Sequence, residues 1–128
     1  MQNNSYYGRL GWNGFTAAAY DVSETGEGAL LVASPGLDPP KGTTPNYEVL
    51  YTDYDKITVI YSCFDISGSM ANGISEYVWI LSRDPQISDE DLARGIGVVN
   101  QQLPNFDVEG QLNYTSQGDQ CPYDTQPQ

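Results

Sequence analysis

Histidine is absent from this sequence, so no Ser–His or Cys–His couple can form and the commonest route to an activated nucleophile is closed. Cys63 and Cys121 are the two thiols. Either would turn nucleophilic only beside a cation that lowers its pKa, and a pair of cysteines fits one disulfide or two free thiols equally well. Asp53 and Asp55 look like the start of a calcium loop, but the oxygen ligands that should follow do not. Turn chemistry accounts for that pair. Neither a metal site nor an enzymatic centre is expected. The chain is instead rich in aromatics, with 10 tyrosines and 2 tryptophans. Such side chains suit half-buried sheets and ligand pockets.

Charge narrows the partners. Against 17 acidic residues stand 5 basic ones, a net charge of -12. Nucleic acid and anionic membrane surfaces need a basic patch, which five scattered cations do not supply. No apolar run is long enough to span a bilayer as a helix, and residues 1–10 carry no signal-peptide pattern. Asn3 and Asn113 each begin an N-x-S/T glycosylation triplet.

The 128 residues suffice for one domain, read as spanning 1–128 with a polar tail over 117–128. Short β-type runs recur between turn residues. The first is 12–20, where Asn13-Gly14 is either a hairpin turn or a bulge inside one strand. Residues 29–34 (ALLVAS) form the second. A loop rich in proline and glycine follows over 35–45, read as a flexible surface segment. Residues 47–54 (YEVLYTDY) and 57–64 (ITVIYSCF), joined by Asp55-Lys56, predict an antiparallel hairpin. After a Ser-Gly-Asn-rich link over 65–73 comes another strand, 76–82 (EYVWILS). One helix follows. Ser88 caps it, Asp89, Glu90 and Asp91 sit in its first turn, and Leu92, Ile96, Val99 and Leu103 share a face. Gly95 and Gly97 weaken it, and Pro104 ends it. A final short strand is expected over 111–116. The fold class is therefore all-β with one C-terminal helix packed outside the sheet.

These blocks resemble the lipocalin family, within the calycin superfamily. Residues 47–63 (YEVLYTDYDKITVIYSC) are similar to its second motif, centred on Thr52-Asp53-Tyr54, and residues 77–85 (YVWILSRDP) to its third, with the arginine at Arg83. The spacing from Tyr47 to Cys63 is similar to that of apolipoprotein D. The ending over 121–126 (CPYDTQ) is similar to that of crustacyanin, a carotenoid-binding member. The resemblance implies an antiparallel up-and-down β-barrel. It departs from the pattern in lacking the family's G-x-W motif, so strands A and B, or A to C, are expected to be missing, as in an N-terminally truncated form.

The resemblance also implies a site. In the family the arginine of the third motif points into the barrel, so alternation sends Leu81, Trp79 and Tyr77 inward and leaves Val78 and Ile80 for the helix. Trp79 and Tyr47 match pocket residues of apolipoprotein D, and alternation adds Val49 and Tyr51 to the face of Tyr47. Arg83, Asp53 and Tyr54 are read as structural. The family's disulfide partners of Cys63 and Cys121 are missing, which leaves both expected unpaired.

The expected function is binding and transport of a small hydrophobic ligand by an extracellular protein. Carotenoid, tetrapyrrole (bilin), steroid and fatty acid all fit an aromatic pocket with a few hydroxyls. No cofactor is required. The alternative is a self-associating interaction protein, joining copies of itself or other lipocalins through an open sheet edge, or a form that no longer binds ligand.

Overall fold

A computed structural model describes residues 2–6, 12–68, 71–115 and 117; of these, the side chains of 2–6, 12–16, 66–68 and 71–72 are not described. Among the described residues seven strands and two helices follow one another. β1 (Gln2–Tyr6) and β2 (Trp12–Thr16) form an antiparallel pair of their own. Asn13 and Gly14 lie inside that ladder, opposite Ser5 and Asn4, so the pair makes no hairpin turn, and the run read as one strand over 12–20 divides at Ala17. The second sheet has the order β3 (Ala18–Asp21), β4 (Ala29–Ala33), β5 (Tyr47–Thr52), β6 (Ile57–Gly68) and β7 (Ala71–Ser82). It does not close among the described residues: β3 and β7 end it on either side. An unclosed antiparallel sheet followed by α1 (Asp89–Gln102) is the incomplete-barrel fold class expected.

The chain forms two compact units, Met1–Val49 with Tyr61–Tyr77, and Leu50–Ile60 with Val78–Gln128. In the first, Ala17 and Val22 are buried around β3, and Ser62 is buried on β6. Asn46 organises its polar interior. Its side-chain Oδ1 accepts from the Val32 N–H at 2.8 Å, and its Nδ2 donates to the Val32 carbonyl at 3.1 Å. Its backbone N–H donates to the Leu30 carbonyl, and its own carbonyl accepts the Ser62 hydroxyl. A side-chain amide thus extends the β4–β5 ladder beyond its last paired residues, satisfying backbone groups that a buried strand cannot leave open. The loop over 35–45 is not the free segment expected. The Tyr20 hydroxyl donates to the Ser34 carbonyl and accepts from the Leu37 N–H, Gly42 N–H bonds the Val22 carbonyl, and Lys41 pairs with Asp21 at 2.8 Å.

The second unit is built around α1. Ser88 caps it by accepting from the Asp91 N–H at 3.1 Å, and three acidic residues occupy its first turn, where the dipole favours them. The buried line on this helix is Asp91, Gly95 and Val99; the expected stripe through Leu92, Ile96 and Leu103 flanks it, half-buried. Gly95 is the point of closest approach. A Cβ there would stand 2.7 Å from Ile80 Cγ2, so this glycine is a packing requirement of the helix and not a weakness in it. Ile57, Val59 and Ile60 of β6 are also buried in this unit.

Two further expectations are corrected. The link over 65–73 is strand on both sides, leaving residues 69–70 outside the description. Weak local propensity is overridden where two sequential strands continue one ladder. The strand expected over 111–116 is replaced by α2 (Val108–Gln111), capped by Asp107, whose carboxylate accepts from the Gly110 N–H at 3.0 Å. Residues 112–115 are irregular.

Candidate functional site

The β5–β6 turn is stapled by one carboxylate. Asp53 Oδ1 accepts from the N–H groups of Asp55, Lys56 and Ile57 at 3.0, 2.7 and 3.0 Å, and Oδ2 accepts from Arg94 of α1 at 3.0 Å. Strand β5 ends at Thr52 for this reason, so Asp53 and Tyr54, read as strand, belong to the turn. The hydrogen bonds from Lys56 and Ile57, then Asp55, with the Arg94 charge behind them, hold the Asp53 carboxyl below its ordinary pKa. A depressed folded-state pKa contributes stability that is complete above the unfolded value of about 3.9 and lost as pH falls through the folded value. Urea midpoints measured from pH 6 down to pH 2 are therefore expected to fall less steeply in Asp53→Asn than in the native chain, the variant starting from the lower midpoint.

Tyr54 follows with a φ of 61°, unusual for a residue other than Gly, Asn or Asp. Two contacts hold it there: its N–H donates to Thr52 Oγ1 at 3.2 Å, and its carbonyl accepts from Arg83 Nη2 at 3.2 Å. Its ring is left 83% exposed. Tyr54→Asn relieves the backbone strain without touching the core, and is expected to raise stability by roughly 0.5–1 kcal/mol, measured as the urea midpoint at pH 7.

Tyr54, Lys56 and Arg83 border an open cleft of about 350 Å³ whose other walls are Thr52, Asp55, Ile57, Thr58, Leu81 and Ser82. The backbone closes one end of it, with the Arg83 N–H bonded to the Lys56 carbonyl at 3.0 Å. Thr52 and Thr58 share a hydroxyl–hydroxyl bond of 3.0 Å, placing them on one face.

Faces follow from these contacts by alternation. Ile80 packs against Gly95, so Trp79 and Leu81 point to the side of β7 away from α1. Trp79 is half-buried, while Tyr77 and Leu81 are each 47% exposed. In the first unit, the Tyr77 ring meets Phe64 edge-to-face, centroids 6.0 Å apart. The structure does not bring Tyr51 to this side. Its hydroxyl is close enough to Arg94 of α1 to help hold that guanidinium charged, alongside Asp91 and Asp53, so Tyr51 faces α1. Alternation gives Tyr47 and Val49 the same side of β5 as Tyr51. Tyr47 is half-buried, and burial raises its pKa; Val49 sits beside Gly28, its N–H on the Gly28 carbonyl. Within this unit Tyr51 therefore lies toward the helix, while Trp79 points away from it. The reason is that matching motifs place residues on a strand without saying which side the helix will cover.

Thr52, Thr58 and the cleft were not singled out by sequence reasoning. Alternation in residues 57–62 is apolar on both faces, which hides the threonines' side. On β6, the Tyr61 hydroxyl donates to Glu76 at 2.7 Å, and this bond, together with burial and Cys63, raises its pKa. Cys63 is half-buried and free among the described residues; Cys121 lies outside them. Asn113 is exposed, its Nδ2 on the Gln111 carbonyl, and Asn3 is in β1. Among the described residues no group of three His, Cys, Asp or Glu side chains is placed to hold a metal ion, and no helix is long and apolar enough to cross a membrane.

A family model described as a lipocalin-like domain matches residues 2–117 of the chain. Among curated proteins, none matches it.

Proposed function

The chain belongs to the lipocalin-like family, whose members typically bind and carry small hydrophobic molecules rather than catalyse reactions, and on that premise we propose that this protein is an extracellular carrier of such a ligand, held on the face of β7 that bears Trp79. One observation carries the reading. Trp79 and Leu81 succeed one another on the side of the strand turned from α1, and Leu81 is 47% exposed. Large apolar side chains aligned on one open face mark a binding surface more often than a packing one. Flat polyenes, bilins, steroids and acyl chains all suit aromatic walls. The similarity of the Tyr47–Cys63 spacing to apolipoprotein D, and of residues 121–126 to crustacyanin, favours a carotenoid or a bilin among them. Secretion follows the family's habit, and the exposed Asn113 would then be open to glycosylation.

The test is titration of the purified protein with astaxanthin, biliverdin and a fluorescent fatty acid, following tryptophan emission and the visible spectrum. Saturable one-to-one quenching is expected, and most of it should vanish in Trp79→Phe, because the other tryptophan, Trp12, is on a different sheet. A self-associating interaction protein is the second reading, favoured by Ile74, 66% exposed on β7. No binding of any ligand, together with oligomers that grow with concentration on a sizing column, decides for it.

A further inference from the structure

Two of the five cationic side chains of this strongly acidic chain line one cleft. Lys56 stands on the β5–β6 turn and Arg83 just after β7, and both line the 350 Å³ space together with Ile57 and Leu81. Neither takes part in an ion pair among the described residues: Lys41 pairs with Asp21, and Arg94 with Asp53 and Asp91. Asp55 is the one carboxylate in the lining, so two positive charges face one negative. The hydroxyls nearby are engaged, Thr52 with Thr58 and Ser82 with the Asp84 carbonyl. Arg83 spends one N–H on the Tyr54 carbonyl, and a guanidinium has five to give. The strained Tyr54 backbone holds an exposed phenol at the rim, and strain of this kind collects at functional sites.

The apolar side of the cleft leads somewhere. From Leu81 the same face of β7 continues to Trp79, roughly 7 Å along the strand. A cationic recess thus opens onto an apolar track within one compact unit.

We propose that the cleft takes the carboxylate of an amphiphile, with Arg83 and Lys56 as its counter-ions and the tail lying on Leu81 and Trp79. This rests on the carrier reading above and narrows it, since a steroid or carotenoid without an acid group has nothing for the two cations to meet. The planar guanidinium matches a carboxylate in a two-pronged hydrogen bond. The net charge of -12 disfavours anions on the chain as a whole, so an anionic ligand that binds needs a local excess of positive charge.

The experiment compares a fluorescent fatty acid with its methyl ester on the full chain at pH 7.5. The acid is expected to bind roughly tenfold tighter or better, a difference of about 1.4 kcal/mol, and added salt should weaken the acid alone. In Lys56→Gln/Arg83→Gln the acid should fall to the affinity of the ester, with the ester unchanged. Retention of ester binding also reports that the face is intact. If the double variant loses the ester as well, Lys56→Gln alone decides, because the turn is held by the Lys56 backbone and not its side chain. Equal affinity of acid and ester for the native chain overturns the head-group site and leaves the carrier reading standing. Failure of both, and of astaxanthin and biliverdin, overturns the carrier reading itself.

Discussion

Gly95→Val is expected to lower the stability of the protein by about 2–3 kcal/mol, read as the urea midpoint at pH 7. A Cβ at this position would already stand 2.7 Å from Ile80 Cγ2, with Cδ1 and Cγ1 at 3.2 and 3.3 Å. Cγ2 and Cγ1 both sit on the Cβ of a β-branched side chain whose χ1 is stiff, so the nearest atom cannot swing aside without turning the whole side chain. Valine adds two methyls beyond that Cβ, and overpacking of this kind costs about 1–3 kcal/mol. The helix propensity gained on leaving glycine returns well under 1 kcal/mol for a β-branched residue. The control is Gly97→Ala on the same helix, where nothing lies within 4 Å. It should raise stability by roughly 0.5–1 kcal/mol. The pairing with Ile80 can be isolated. Ile80→Ala alone opens a gap beside the helix, yet in the Gly95→Val background it should recover part of the loss, a coupling that a double-mutant cycle reads directly. Additive losses would mean that α1 does not rest on β7 through this contact.

Asn46→Ala is expected to cost about 2–3 kcal/mol, from a position that no core inventory would name. The substitution removes the partners of both polar groups of Val32 at once. Each part-buried backbone group left without a partner costs about 1–3 kcal/mol, against about 1 for a hydrogen bond merely exchanged with water. Asn46→Asp sharpens the point. It keeps the acceptor for the Val32 N–H but sets a negative oxygen against the Val32 carbonyl. The variant should be as unstable as alanine at pH 7 and recover as the pH is lowered, since protonation restores a donor. In that variant the folded-state pKa is raised, so its penalty disappears at low pH, the reverse of the Asp53 contribution. Chemical denaturation of the three proteins at pH 7 and pH 4.5 checks both signs.

Much of this architecture was legible in the residues. The runs 29–34, 47–54 and 57–64 read as strands because β-branched and aromatic side chains cluster between turn residues, and the shortness of the 55–56 link made their pairing antiparallel. Ser88 and the acidic turn behind it located the start of α1 to the residue, because a cap is a local event between a side chain and the third N–H beyond it. The assignment of Val78 and Ile80 to one side of β7 and Trp79 and Leu81 to the other was likewise local, since strand parity needs no partner to define it.

What the sequence could not supply is where a glycine, an asparagine or a threonine meets something distant. Gly95 reads as a weak helix residue until Ile80 is placed above it. Its value is the space it leaves, and empty space has no hydrophobicity to show in a periodic pattern. Asn46 reads as loop, and only the end of the β4–β5 ladder gives its amide a role. The division of Tyr51 from Trp79 is the same lesson at the candidate site. Parity along each strand was determined by the sequence alone, whereas which side of β5 faces α1 was decided by the packing of the helix and by the Arg94 contacts to Tyr51 and Asp53. The lipocalin-like family, the hairpin and the capped helix therefore belong to the sequence. The cleft between Lys56 and Arg83 belongs to the tertiary structure, because its two cations lie 27 residues apart and meet only where the end of β7 returns to the β5–β6 turn.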